Sequence, residues 1–562
     1  MTAASSLRST TGPLRALLLG STASGDPDGA DVLGEVVDEA AARFGDATAY
    51  VAADGWLLSF AELARASDEV AAGLAAAGVG AGDVVALALP SIPEYVIAYA
   101  AAAKLGAVTA GVNARLTSHE RAGVLATARP RLVVATPDLA PHPDALPAGA
   151  DLVTIDVAGA PGDALASVRV EGGAPPPLDA DPDRPVAIVF TSGTTGQPKG
   201  AVFGGRQLAF ITQVDTGGTW AGQAGAAQLA GTSFAHLGPM TKLPGNLMRG
   251  ACTVLVDRWR PGDALALIER YAMAGVGGIP TQVALMLRHP SFDERDLSSV
   301  RAIVMGGGPS TPSLVREARR RFGAAVSVRY SCTEAGIGVG TAFDAPPEDA
   351  EVSVGRPHTG VTLTIRADDG TVLPPGAEGE VCLASPATMR GYWRDPDATA
   401  AAMTADGAVR TGDVGHLDAH GRLVLAGRRR DRYVRGGYNV HPLEVEAVLA
   451  THPAVADVAV VARPDDVMGE VGVAVVVAGD GTPAPTLDEL RAHGATVVLA
   501  HHKLPEDLVV VDAASRSPPS RRSTGAPWSP PCATLPARRP AASAVRSGRD
   551  ARSDQFFFHT WA

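Results

Sequence analysis

The chain has 562 residues, 46% of them hydrophobic, and a formal charge of -12. That length can bury a substantial core and predicts more than one domain, while the acidic balance argues against nonspecific nucleic-acid binding, which needs a basic excess. Cys252, Cys332, Cys382 and Cys532 lie far apart, giving neither a CxxC zinc pattern nor a dense disulfide framework, as expected for a reducing cytoplasm.

Residues 1–30 are expected to be flexible. Arg8 and Arg15 precede only a very short apolar patch, LRALLLGSTASG, a poor secretory h-region. The most apolar longer stretch, VVALALPSIPEYVIAYAAAAKLGAV, is broken by Pro90, Pro93, Glu94 and Lys104 and does not read as a membrane span.

From about Phe60 helical and extended patterns alternate. LLSFAELARASDEVAAGLAAAGV reads as an amphipathic helix, DVVALALP as a buried strand, EYVIAYAAAAKLGAVTAGV as helix then strand, and PRLVVATP as a further strand. This alternation predicts layered α/β architecture with largely parallel sheets. Residues 171–185, rich in Pro and Asp, are expected to be irregular and exposed, and they deliver the chain into the strand VAIVF.

That strand runs into TSGTTGQPKG, residues 191–200. Glycines let backbone amides converge on an anion, hydroxyls donate, and Lys199 supplies positive charge, so the stretch is suited to phosphate. It is not a Walker A loop, which needs GxxxxGK followed by Ser or Thr; here Pro198 precedes Lys199 and Gly200 follows it.

Further α/β units follow: ACTVLVDRW, DALALIERYAMAG, VRAIVMGGGPS, SLVREARRRFG and AVSVRYSCTEAG. Beyond Val352 short strands joined by DDG and PPGAEGE turns predict an antiparallel or barrel-like subdomain. After GRRRDRYVRGG a small α+β module begins, which places a domain boundary at residues 428–430. The tail from residue 514, rich in Ser, Pro and Arg without a hydrophobic period, is expected to be disordered.

TSGTTGQPKG resembles, at every position, the TSG[ST]TGxPKG signature of the adenylate-forming superfamily: acyl-CoA synthetases, nonribosomal peptide adenylation domains and luciferases. The resemblance runs in order from about Phe44 to Ala513. It implies a large N-terminal domain (residues 31–427), a hinge, and a small C-terminal domain (residues 431–513). It also implies activation of a fatty or other apolar carboxylic acid by ATP and Mg²⁺ as an acyl-adenylate, with transfer to CoA.

By the same resemblance Thr191, Ser192, Gly193, Thr194, Thr195, Gly196 and Lys199 surround the phosphates. YSCTE, residues 330–334, is similar to the Y-G-x-T-E motif, with Ser331 in place of glycine. Tyr330 and Thr333 then contact the nucleotide, and Glu334, with Thr195, binds Mg²⁺, a hard cation that takes carboxylate and phosphate oxygens together. Gly307 and Gly308 of GGGPS border the adenine and the acyl pocket. Asp413 of RTGD accepts from the ribose hydroxyls and Arg428 completes that contact. Arg430 is the hinge, and His236 of SFAHLGPM lies beside the substrate carboxylate; taken alone, a histidine there is equally a packed structural residue.

One departure stands out. Family members carry a second lysine in an LPxTxxGK-like segment near the C-terminus, but here that segment is replaced by the Ser/Pro/Arg tail, and the four lysines are Lys104, Lys199, Lys242 and Lys503. The residues ASRSPPSRRSTGAPWS can be encoded by a GC-rich string whose neighbouring frame reads LPLTAVEKVDRRALV, which suggests a frameshift after Ala513. A weakened adenylation step is then expected. Two rivals to CoA ligation are an acyl-AMP ligase loading a carrier protein and a degenerate nucleotide-binding protein.

Overall fold

The computed structural model describes residues 32–157, 162–191, 197–256, 258–429, 431–436, 438–465, 467–479, 481–497 and 499–511. Residues 1–30, the tail from residue 514 with its frameshift reading, the loop residues Ser192, Gly193, Thr194, Thr195 and Gly196, and Arg430 lie outside them.

Apolar runs become strands buried on both faces. Val84–Ala88 and Leu132–Ala135 are buried throughout and pair in parallel within a six-stranded sheet. Its order is Asp151–Thr154, Leu132–Ala135, Val84–Ala88, Val108–Gly111, Pro185–Thr191 and Lys199–Gly204. Every pair is parallel except the last, an antiparallel hairpin. Val85, Leu87 and Val134 join the core formed with the helices Phe60–Ala76 and Pro93–Lys104, whereas Ala86, Ala88 and Val133 pack with Val124 and Leu125 of the helix Ser118–Ala128.

The first expected helix begins later than its pattern suggested. Leu57–Ser59 forms a strand, and Ser59 caps the helix by accepting from Glu62 N at 3.1 Å, while Glu62 accepts from Ser59 N at 2.9 Å. Pro93–Lys104 is buried on all sides, its charged end included. Lys104 Nζ meets Asp38 Oδ1 at 2.6 Å and Asp68 Oδ1 at 2.5 Å, so the buried ammonium is compensated and ties three helices together.

A five-stranded sheet follows the order Gly275–Gly278, Ala302–Gly306, Ala325–Tyr330, Val339–Gly340 and Arg356–Pro357, the first three parallel and the rest antiparallel. Thr362–Arg366, Gly379–Ala384, Val409–Leu417 and Leu423–Arg428 then form a four-stranded antiparallel sheet, the subdomain expected beyond Val352. The last unit sets the helices Pro442–Leu449 and Leu487–Val497 with a sheet centred on Gly469–Ala478, around Tyr433, Val445, Leu449, Val460 and Leu490.

Gly355 joins the second and third of these sheets. Its carbonyl accepts from Leu423 N at 2.8 Å, its φ is +92°, and a Cβ there would stand 2.0 Å from the backbone carbon of Gly340. Both opposing groups are backbone and neither can swing aside. Gly355→Ala is therefore expected to cost about 2–4 kcal/mol, from the left-handed backbone and from overpacking; a lowered denaturant midpoint at unchanged slope is the readout.

Candidate active site

The phosphate-loop signature connects two adjacent antiparallel strands, with Thr191 directly opposite Lys199. Lys199 therefore opens a strand, Lys199–Gly204, and no helix N-terminus follows the loop. Positive charge at this point comes from the Lys199 side chain. A third segment docks on the hairpin: Arg390 N donates to Val202 O at 2.9 Å, Val202 N to Gly391 O at 3.0 Å, and Trp393 N to Gly200 O at 2.7 Å. This pairing sets the ring of Tyr392 against Lys199, with Nζ 5.2 Å from the ring centroid.

Tyr392 also reaches the acidic residue. Its hydroxyl donates to Glu334 Oε1 at 2.7 Å, and Met389 N donates to the Glu334 carbonyl at 2.8 Å. Glu334 is half-buried in the one-turn helix Thr333–Ala335 that follows the strand Ala325–Tyr330, so Thr333 begins the same turn. Burial, then the neighbouring carboxylate, push the Tyr392 phenol far up, which keeps it a donor. The adjacent Cys332 thiol is likewise held neutral by burial and by Glu334.

A carboxylate has acceptor capacity beyond the bond to Tyr392. That suits a hard cation completing its shell from phosphate oxygens and water. A single carboxylate of this kind fits Mg²⁺, which is commonly bound through one or two carboxylates together with phosphate oxygens and water; among the described residues no group of three His, Cys, Asp or Glu stands together.

On the other side of Tyr330 lies Asp413, which is buried. Tyr330 Oη donates to Asp413 Oδ2 at 2.7 Å, and Arg428 Nε stands 3.2 Å from Oδ1. Asp413 and Arg428 face each other in register on neighbouring strands. Burial raises the Asp413 carboxyl above its ordinary value, against the pull of Tyr330 and Arg428. Gly307, at φ +76°, and Gly308 follow the strand Ala302–Gly306 and are exposed; a Cβ on them would lie 3.5 Å from Ile279 Cγ2 and 3.4 Å from Pro280 Cδ. Bare backbone is thus offered to a flat ring.

His236 precedes the helix Leu237–Met248, and its Nε2 is 3.2 Å from Asn113 Nδ2. With the amide donating, Nε2 accepts and Nδ1 carries the proton. Burial, then Arg115, lower its pKa to about 4, so the ring is neutral near pH 7. Lys199, His236, Gly307, Gly308, Tyr330, Thr333, Glu334, Asp413 and Arg428 all line one open cleft of about 5540 Å³. Tyr392 and Asn113 were missed from the sequence, because each acquires its role through a partner far along the chain and neither carries a local signal.

Residues 37–393 match the family model described as AMP-binding enzyme, and residues 444–519 match the AMP-binding enzyme C-terminal domain. A fatty acid–acyl-carrier-protein ligase, ScoC, of Streptomyces coeruleorubidus is 33% identical over 479 residues, covering 84% of this chain and 91% of that protein. A feruloyl-CoA synthase of an Amycolatopsis species is 34% identical over 460 residues, 82% and 91% of the two chains. Among solved structures, the amide bond synthetase McbA from Marinactinospora thermotolerans superposes with a TM-score of 0.73 at 29% identity, covering 85% of this chain and 96% of that one. The chain belongs to the AMP-binding enzymes, the adenylate-forming superfamily of ATP-dependent acid ligases.

Proposed function

We propose that the chain is an AMP-forming acid–thiol ligase that converts a carboxylic acid, ATP and CoA to acyl-CoA, AMP and pyrophosphate. The observation that supports this reading is the link from Lys199 through Tyr392 to Glu334, which brings a cation and a carboxylate together on the wall of one cleft, an arrangement suited to the phosphates of a nucleotide. Attack of a carboxylate on the α-phosphorus needs charge neutralisation and alignment more than covalent help.

In this reading Lys199, with the loop from Thr191 to Gly196, neutralises the departing pyrophosphate. Mg²⁺, when bound, supplies charge compensation on the phosphate oxygens, held by Glu334 and Thr195. Tyr392 positions Glu334. Asp413 and Arg428 hold the ribose, Tyr330 and Thr333 contact the nucleotide, and Gly307 and Gly308 floor the adenine. The neutral His236 orients the acid by hydrogen bonding without titrating it. Residues 428–430 serve as the hinge between the two domains. The similarity to ScoC, a fatty acid–acyl-carrier-protein ligase, favours a carrier protein as the alternative acceptor; acyl transfer to free CoA against transfer to a carrier protein separates the two. No helix of the described residues is long and apolar enough to cross a membrane, and a cytoplasmic setting supplies ATP and CoA.

This reading includes the absence of the distal lysine, and it is supported by the engagement of the other lysines with carboxylates. Lys104 is buried between two aspartates, Lys242 pairs with Asp215 at 3.3 Å, and Lys503 meets both oxygens of Glu444 at 2.6 and 2.7 Å. Slow pyrophosphate release from ATP and acid is expected, while thiol transfer from supplied acyl-adenylate proceeds better; family-typical release rates would contradict this. ATP binding without any acyl-adenylate by mass spectrometry would favour the degenerate nucleotide-binding alternative.

Lys199→Ala should lower adenylation by about a hundredfold or more, the usual effect of losing one aligned charge. Tyr392→Phe, which removes one hydrogen bond to a carboxylate, should cost about tenfold or more and raise the Mg²⁺ concentration needed for half-maximal rate. An unchanged Mg²⁺ requirement would show that Tyr392 does not position Glu334.

His236 and His358 both have folded pKa values of about 4 against an ordinary 6.5. The unfolded chain takes up these protons first as pH falls, so their contribution to stability is complete above 6.5 and is lost progressively between 6.5 and 4. Denaturant midpoints at pH 7.5 and 5.0 should differ accordingly. The double variant His236→Gln, His358→Gln should show a smaller difference.

A further inference from the structure

The five-stranded sheet turns Ile303, Met305, Val326 and Val328 into a core shared with the helices Pro261–Arg270 and Pro312–Phe322. Alternation along the strand sends Arg329 to the opposite face, where it lines the cleft together with Val304 and Gly306. Its flanking positions in the sheet are glycines, Gly306 on one side and Gly340 on the other. A Cβ on Gly340 would meet Arg329 Nη1 at 2.5 Å, so the guanidinium occupies a space that only glycine leaves open.

Within the described residues the one hydrogen bond of this guanidinium goes to His358, from Nη1 to Nε2 at 2.8 Å. Arginine only donates, so Nε2 accepts. Burial, then the charges of Arg329 and Lys242, hold the His358 ring neutral, so it orients Arg329 without compensating it. The carboxylate whose field reaches Arg329 is Asp215, and Asp215 Oδ1 is already taken by Lys242 Nζ at 3.3 Å. Arg329 and Lys242 thus face one acid, leaving a positive charge in excess on the wall of the cleft. Burial is the leading influence on Arg329 and works against its charge. Among the described residues most of its N–H donors have no acceptor, and a further neighbour is the Phe343 ring, whose centroid is 5.9 Å from Cζ and which accepts no N–H in the plane of the fork. An oriented, partly desolvated guanidinium with free donors matches the two oxygens of a carboxylate.

Lys242 stands on the helix Leu237–Met248, which His236 opens. Six residues at about 1.5 Å each separate the two along its axis, on the order of 9 Å. A reacting carboxylate at His236 and a second anionic group near Lys242 and Arg329 can therefore belong to one small molecule.

Resting on the ligase reading above, we infer that the acyl substrate carries a second anionic group, a carboxylate at the far end of its chain, and that Arg329 is the specificity residue that receives it. Neutral fatty and aromatic acids would leave the guanidinium unmatched.

The test is calorimetric titration of the full chain, with a non-hydrolysable ATP analogue present, using straight-chain dicarboxylates from malonate to suberate and the monomethyl ester of each. At least one dicarboxylate should bind about tenfold or more tightly than its ester, the scale of a charge-assisted bidentate contact. Arg329→Leu should abolish that difference while leaving ester affinity within about twofold, and Arg329→Lys should restore part of it. If no dicarboxylate is preferred, or if Arg329→Leu weakens acid and ester alike, the inference is overturned. Because binding needs no turnover, the two readings separate. Dicarboxylate binding without acyl-adenylate formation would sink the ligase assignment alone, whereas adenylation confined to monocarboxylates and insensitive to Arg329→Leu would sink only this one.

Discussion

The site depends on a three-segment backbone pairing. Lys199–Gly204 is held on one side by Pro185–Thr191 and on the other by residues 390–393, which donate and accept at Gly200 and Val202. Backbone ladders fix position more firmly than long side chains can, because each bond adds to an already ordered strand. From that frame Tyr392 inherits its place against Lys199 and its bond to Glu334, and Met389 holds the Glu334 backbone from the same segment. A flexible lysine and a half-exposed acid are thereby brought to one address by main-chain geometry.

The sheets impose a second constraint, through what they lack. Glycines flank Arg329 on both neighbouring strands, and Gly355 lets two sheets approach to backbone contact. A side chain at Gly340 or Gly355 would displace either the guanidinium or the adjoining main chain. Shape in this region is set by missing atoms as much as by packed ones.

Much of the α/β architecture was legible because buried parallel strands appear as unbroken apolar runs; VVALA and LVVA needed no partner to be recognised. Helix onset was less so: the apolar LLS blended into the helical pattern that follows it but is in fact a strand, and the helix begins at Phe60 behind the Ser59 cap. Lys199, Glu334 and Asp413 were singled out by local strings, the loop signature, YSCTE and RTGD, and the fold brings the three to one cleft. Tyr392, Asn113 and His358 were invisible, since their meaning arises from contacts across 58, 123 and 29 residues of sequence. No periodicity encodes such pairings.

The lysines carry a chemical consequence. An acyl-adenylate is an activated ester that reacts with any free amine near it, and a protein that makes one exposes itself to its own intermediate. This chain has four lysines in 562 residues, and among the described residues three of them are engaged by carboxylates, with Lys199 the exception. Arginine, which does not acylate under such conditions, carries nearly all the remaining positive charge. The chain is thus poor in amine targets for stray acyl transfer.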